Sequence, residues 1–260
     1  YTRGLNVYTT VRMADQVAAT RALRKGLMDY DRRQAWRGPE AFIDLPADPR
    51  QTDVRVAEAL EDHPESDTLY AAVVLSASPK LVTLLMQNGD SIDVGPEGLR
   101  GLTAALSAQA QPKQQIRRGA VVRVTQTGPD KKWQIVQMPE VEGALVSIDP
   151  RTGAVRAMAG GFDFGRNKFN HVTQAWRQPG SSFKPFIYSA ALQKGFTPTT
   201  MINDGPLFFD SGVTGSQPWE PKNYDGKFEG PMTLRRGLAK SKNMVSIRIL
   251  KSIGPKYGQD

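Results

Sequence analysis

The 260-residue chain contains no cysteine and only two histidines, and these scarcities narrow the available chemistry before any motif is considered. Without cysteine there is no disulfide framework and no thiolate nucleophile. That absence suits an oxidising compartment as well as the cytosol, so it assigns neither. His63 and His171 stand far apart in sequence, which argues against a serine–histidine triad and against a histidine-rich metal centre; both read as surface residues. No metal or other cofactor is implied. Apolar runs of about 18 residues, the length a spanning helix needs, are also missing. The opening Tyr1-Thr2-Arg3-Gly4 does not begin a signal peptide, so any targeting or anchoring segment is expected outside this chain.

What remains is the composition of globular material, 39% hydrophobic and 23% charged, at a length sufficient for two modest domains. The formal charge of +8 is unevenly placed. Residues 1–37 carry a net +5, residues 38–140 a net −4 and residues 141–260 a net +7. An acidic middle between basic flanks suggests an inserted domain, and the flanks suit an acidic polymer or an anionic bilayer.

Along the chain, residues 5–11 alternate and are rich in β-formers, which predicts a strand, with Thr10 placed to cap a following helix. Met13, Val17, Leu23, Leu27 and Tyr30 then recur at helical steps as one apolar stripe. Trp36-Arg37-Gly38-Pro39 breaks the pattern and marks a domain boundary. Five short β-like runs follow, at 69–75, 81–86, 91–94, 120–127 and 133–137, with hairpin chemistry at Asn88-Gly89 and Gly128-Pro129-Asp130. A helix is expected over 51–60 and a Gln-rich mobile loop over 104–115. The insert therefore reads as a small OB-like barrel. Barrels of that kind that bind nucleic acid present basic grooves with aromatic platforms, and this segment is acidic and aromatic-poor. Protein interaction or a spacer role fits better, and no nucleic acid is expected as partner.

Beyond Pro139, residues 144–148 and 155–159 predict a hairpin whose turn holds Arg151-Thr152-Gly153. The stretch Arg177-Gln178-Pro179-Gly180-Ser181-Ser182-Phe183-Lys184-Pro185-Phe186 places a serine and a lysine three residues apart where a helix begins. Residues at that spacing share a helix face, so Lys184 is placed to act as base for a Ser181 nucleophile. Taken alone the pair is equally a helix cap beside a solvated lysine. Ser181 is, however, the only serine in the chain followed by lysine at the third position, and Ser241-Lys242-Asn243 is the only Ser-x-Asn. The second motif by itself reads as a turn or cap. Lys242 is expected to point outward.

Together these two motifs, with Trp219-Glu220-Pro221-Lys222-Asn223 between them, resemble the active-serine and companion motifs of penicillin-binding proteins. The order of linker, β-rich insert and motif-bearing segment is similar to the bifunctional class A members of Gram-negative bacteria, the 1A-like group. The resemblance implies an α+β fold: part of a penicillin-binding, serine β-lactamase-like transpeptidase domain over 141–260, an all-β OB-like insert over 38–140, and a linker strand and helix over 1–37 packing with the transpeptidase part. It implies that Ser181 attacks the D-Ala-D-Ala amide of a peptidoglycan stem peptide and Lys184 takes its proton. Ser241 would relay a proton to the departing D-Ala, Asn243 would hold the substrate amide and the lysine, and Ser182, Trp219 and Asn223 would contact substrate. The implied partners are stem peptides, lipid II-derived glycan strands, β-lactam antibiotics, regulators docking on the insert, and the inner membrane through an anchor outside this chain. The implied location is the periplasmic face of that membrane. A β-lactam-hydrolysing or β-lactam-sensing protein of the same fold, or a non-catalytic interaction fragment, stand as alternatives. The family's Lys-Thr-Gly motif does not occur, since Arg151-Thr152-Gly153 precedes Ser181 and reads as turn chemistry, so the chain alone is expected to be inactive.

Overall fold

The computed structural model describes residues 4–259. By packing, the chain divides into two units, Tyr1–Trp176 and Arg177–Asp260.

In the first unit, helix α1 (Met13–Asp31) is entered without a side-chain cap. Thr10 does not cap it; its hydroxyl donates instead to the Val155 carbonyl at 2.6 Å. Residues 5–11 form no strand, and Leu5, Val7 and Tyr8 are exposed. Their alternation meets no neighbouring backbone ladder, and a strand without one has nothing to hold it. The buried line of α1 is Ala19, Leu27 and Asp31 with Leu23 half-buried, whereas Met13, Val17 and Tyr30 of the expected stripe are exposed. Buried Asp31 is satisfied by the Arg37 guanidinium at 3.0 and 3.2 Å.

The insert is built on β1 (Ala41–Phe42), helix α2 (Pro49–Leu60), β2 (Tyr70–Ala77), β3 (Val82–Met86), β4 (Ser91–Val94), β5 (Ala120–Thr127) and β6 (Lys132–Val136). All pairings are antiparallel, in the order β1-β5-β2-β3-β4, with β6 also on β5. The five expected runs are therefore strands, joined by a short sixth. One edge of β5 takes β2 with Ala71 opposite Arg123; the other takes β1 near Val121 and then β6, with Val136 opposite Arg123. The sheet curls until the Ile135 amide donates to the Gly98 carbonyl at 3.1 Å. Because side chains alternate along a strand, Ala72, Val74, Leu84, Val122 and Val124 fill the barrel interior. The opposite set, Ala71, Val73, Leu85 and Val121, packs against Val56 and Leu60 of α2. Residues 104–115 are a run of turns rather than a free loop, held by Trp36 Nε1 donating to Gln114 O at 2.9 Å and by buried Ala105.

A hairpin, β7 (Leu145–Ile148) and β8 (Val155–Ala159), follows. Its turn contains Arg151-Thr152-Gly153, with Gly153 at φ +71°. Segment 10–16 lies along β8 through Arg12 N donating to Arg156 O and the Gln16 amide bonding both backbone groups of Met158. Neither histidine is freely exposed: His63 Nδ1 contacts Glu40 at 2.8 Å and His171 Nδ1 contacts Gly160 O at 2.8 Å.

The second unit opens with a 3-10 turn, Gly180–Phe183, which runs into α3 (Lys184–Gln193). Then come β9 (Met201–Asp204), α4 (Ser211–Thr214), β10 (Gly230–Thr233), α5 (Leu234–Ala239), α6 (Asn243–Ile253) and α7 (Pro255–Gln259). Strands β9 and β10 pair antiparallel with Ile202 opposite Met232. Their apolar side chains meet Ile187 and Ala191 of α3 and Val245 and Ile249 of α6 in one core. Gly237 lets α5 close in, since a Cβ there would stand 2.6 Å from Val245 Cγ1.

The barrel closure is testable at Gly98, where a Cβ would lie 2.2 Å from Trp133 O and 2.6 Å from Val94 Cγ1. Gly98→Ala should destabilise the protein by about 1–3 kcal/mol, the usual cost of overpacking, in denaturant titrations. Gly95→Ala, with nothing within 4 Å of the added methyl, should unfold at close to the native midpoint.

Candidate active site

Pro179 and Gly180, the latter at φ +54°, turn the chain so that residues 180–183 form a 3-10 turn. In that geometry residues three apart eclipse, which puts Ser181 and Lys184 on one face, and the Lys184 amide donates to the Ser181 carbonyl. Pro185 falls in the first turn of α3, where its missing N–H costs nothing. Ser181 is exposed, while Lys184 is only 7% exposed.

The Lys184 ammonium has three acceptors: Ser241 O at 2.6 Å, Ser241 Oγ at 3.1 Å and Asn243 Oδ1 at 2.7 Å. All three are uncharged. Burial lowers the pKa of Lys184 below the ordinary lysine value. Among the described residues no carboxylate forms an ion pair with it. Ser241 offers two of these oxygens because it sits at φ +51°, a left-handed conformation uncommon outside glycine. The Asn243 carboxamide is oriented from its other end, Nδ2 donating to Lys222 O at 2.8 Å.

Lys242, between them, faces the other way. It is 2% exposed and lies 3.4 Å from Asp204, 3.1 Å from Asp225 and 3.1 Å from Glu229, so the expectation of an outward-pointing lysine is overturned. Its backbone is extended (φ −71°, ψ 122°), and successive side chains of extended backbone point to opposite sides. Burial opposes the charge on Lys242, but hydrogen bonds to Asp225, Glu229 and Asp204 outweigh it and raise the pKa.

A cleft of about 460 Å³ is lined by Ser181, Lys184 and Asn243 together with Trp219, Lys222 and Ile247. Trp219 is fixed by paired backbone bonds to Phe209 and stacks on that ring at 5.3 Å. Two residues expected at the substrate lie elsewhere. Ser182 is exposed and off the cleft wall. Asn223 is buried with its carboxamide fully engaged, donating to Asp204 and to Lys227 O at 2.7 Å each and accepting from the amides of Asn243 and Met244. Ser181, for its part, makes no side-chain hydrogen bond to Lys184 among the described residues.

Comparison with known proteins finds two family models, one on either side of residue 142. Residues 36–141 match the penicillin-binding protein OB-like domain and residues 143–260 the penicillin-binding protein transpeptidase domain. The chain belongs to the penicillin-binding protein family. Its whole length is 47% identical to penicillin-binding protein 1A of Neisseria lactamica and 37% identical to that of Escherichia coli K12. It spans 32% and 31% of those two proteins, about a third of the relatives' length. The crystal structure of penicillin-binding protein 1A from Haemophilus influenzae superposes with a TM-score of 0.83 at 32% identity, covering 97% of this chain and 36% of that one. The fold is accordingly the expected α+β one, part of a penicillin-binding transpeptidase domain with an OB-like barrel.

Sequence reasoning missed Asp204, Asp225 and Glu229, which come together only when β9 and β10 pair. The inward direction of Lys242 follows from left-handed Ser241 before it and the helix start at Asn243 after it, neither of which the residue types announce. Hydrogen bonds from Lys240 and Lys242, reinforced by Arg236 against the opposing effect of burial, hold Glu229 at a pKa of about 2 against an ordinary 4.5. A depressed carboxyl adds stability that is complete above its unfolded pKa and lost as pH falls through its folded one. Unfolding free energy from urea titrations should therefore drop between about pH 4.5 and 2, and Glu229→Gln should flatten that drop.

Proposed function

We propose that this chain supplies the nucleophile and base of a serine-type D,D-transpeptidase that cross-links peptidoglycan stem peptides. The observation that carries the reading is the Lys184 side chain, buried beside the cleft and hydrogen-bonded only to uncharged oxygens of the Ser-x-Asn loop. A neutral amine keeps two N–H groups, enough for Ser241 O and Asn243 Oδ1, and leaves its lone pair for a hydroxyl proton. Ser181 Oγ then attacks the carbonyl of the penultimate D-Ala, its proton passing to Lys184. Ser241 passes its hydroxyl proton to the nitrogen of the departing D-Ala as the amide bond breaks, and the Lys184 ammonium, 3.1 Å from Ser241 Oγ, replaces that proton and becomes neutral again. An amine of a second stem peptide attacks the resulting ester, forming the cross-link and freeing Ser181. A β-lactam enters the same path by opening its ring onto Ser181.

On this reading residues 141–260 belong to the catalytic domain, residues 38–140 are an interaction or spacer module for regulator proteins, and residues 1–37 are a linker that packs with the catalytic part. The family match over 36–141 and 143–260 supports those boundaries. The complete protein would work at the periplasmic face of the inner membrane on lipid II-derived strands, joined to a glycosyltransferase. Within these 260 residues there is no Lys-Thr-Gly. The strand bearing that motif would provide an oxyanion donor besides the Ser181 amide, and removing one such donor costs about 10²–10³ in rate.

In the complete protein a fluorescent penicillin should label Ser181 covalently and Ser181→Ala should abolish labelling; the 260-residue chain by itself should label poorly. Retained labelling of the alanine variant would refute the assignment. The acylation rate should rise with pH along a limb set by Lys184, because only the neutral amine accepts a proton. Burial lowers that pKa, so the limb should lie below the ordinary lysine value of 10.5, as read from acylation rates across pH.

A further inference from the structure

Loop 240–243 places Ser241 and Asn243 on Lys184 although Ser241, at φ +51°, occupies a left-handed backbone region that is strained for a residue other than glycine. Something must hold it there, and two contacts from outside the motif do so. Asn223 Oδ1 accepts from the Asn243 amide at 2.8 Å and the Met244 amide at 3.3 Å, capping α6, whose own N-cap residue Lys242 makes no capping bond. The carboxamide cannot turn, because its Nδ2 is held by Asp204 Oδ1 and Lys227 O. Fully buried Asp204 also reaches Lys242 at 3.4 Å, so both contacts end on one carboxylate.

We propose that Asn223 and Lys242, joined through Asp204, are positioning residues for the reaction: they fix the Ser-x-Asn loop so that Ser241 O and Asn243 Oδ1 stay on the Lys184 amine. Neither touches the cleft, and neither is assigned chemistry. The cage of Asp204, Asp225 and Glu229 acts as the anchor for Lys242, and Asn223 as the anchor for the first turn of α6. Loss of either anchor lets Ser241 relax towards negative φ, which carries its carbonyl away from Lys184.

The inference rests on the acylation chemistry proposed above and is separable from it. In the complete protein, single-turnover acylation by a chromogenic cephalosporin would be resolved into the binding constant and the first-order acylation rate. Rates would be counted only for molecules that label, so that misfolded protein lowers amplitude and not rate. Lys242→Met and Asn223→Ala should each lower the first-order rate about tenfold or more with the binding constant little changed, and Lys242→Arg should restore most of the loss. If Lys242→Met does not fold, Asn223→Ala carries the test. A native rate in the folded fraction of Asn223→Ala, with only its melting temperature reduced, would overturn the proposal while leaving Ser181 as nucleophile. Persistent labelling of Ser181→Ala would instead strike the chemistry itself.

Discussion

A buried lysine with no carboxylate beside it is the constraint on which the second unit turns. Lys184 has three oxygens around its ammonium, none charged. A carboxylate about 4 Å away in a medium of effective dielectric about 20 would stabilise the charged form by roughly 4 kcal/mol. An interaction of that size would oppose the lowering that burial brings to Lys184. Keeping acidic side chains away thus leaves burial to set the direction in which the lysine's pKa moves. Lys242 provides the contrast within the same fold, for it is more deeply buried than Lys184 and yet has its pKa raised by three carboxylates.

Segregating those two environments within three residues is a backbone problem. Left-handed Ser241 turns its carbonyl and hydroxyl towards α3, extended Lys242 sends its side chain to the opposite side, and Asn243 begins α6 facing the cleft again. The 3-10 turn makes the matching adjustment across the cleft by eclipsing Ser181 with Lys184. Close approach of α5, which Gly237 permits, lets the Gly237 carbonyl accept from the Lys242 amide at 2.9 Å, closing the loop from behind. Sequence-local geometry and one glycine contact together deliver the arrangement that the proposed chemistry requires.

The elements legible in the sequence are those whose determinants are local. Five strands of the insert, its helix α2 and the β7–β8 hairpin follow from alternation, apolar spacing and turn residues, and Ser181 with Lys184 from spacing within one turn. The misreadings share a different origin. Residues 5–11 have the pattern of a strand and no partner backbone; Thr10 has the chemistry of a cap and spends its hydroxyl on Val155, 145 positions away. For Asn223 the family resemblance implies a substrate contact, yet Asp204 and the start of α6 claim its carboxamide. Thr10 and Asn223 depend on partners 145 and 19 residues distant and residues 5–11 on the lack of one, none of which a window of residue types contains.

The proposed nucleophile and the proposed base are prepared unequally, and the difference bears on how such a site would reach its reactive geometry. Lys184 is fixed by three hydrogen bonds within the second unit, whereas Ser181 is exposed and its hydroxyl is not tied to the amine. Catalytic hydrogen bonds are commonly long before substrate binds and tighten in the reacting complex. A serine hydroxyl reorients by rotation about one bond, at little cost, once an acyl group occupies the cleft. Moving the base would instead require the Ser-x-Asn loop to shift against α6 and the carboxylate cage. The costly half of the preorganisation is therefore built into the fold of residues 177–260, and the inexpensive half is left for the substrate to complete.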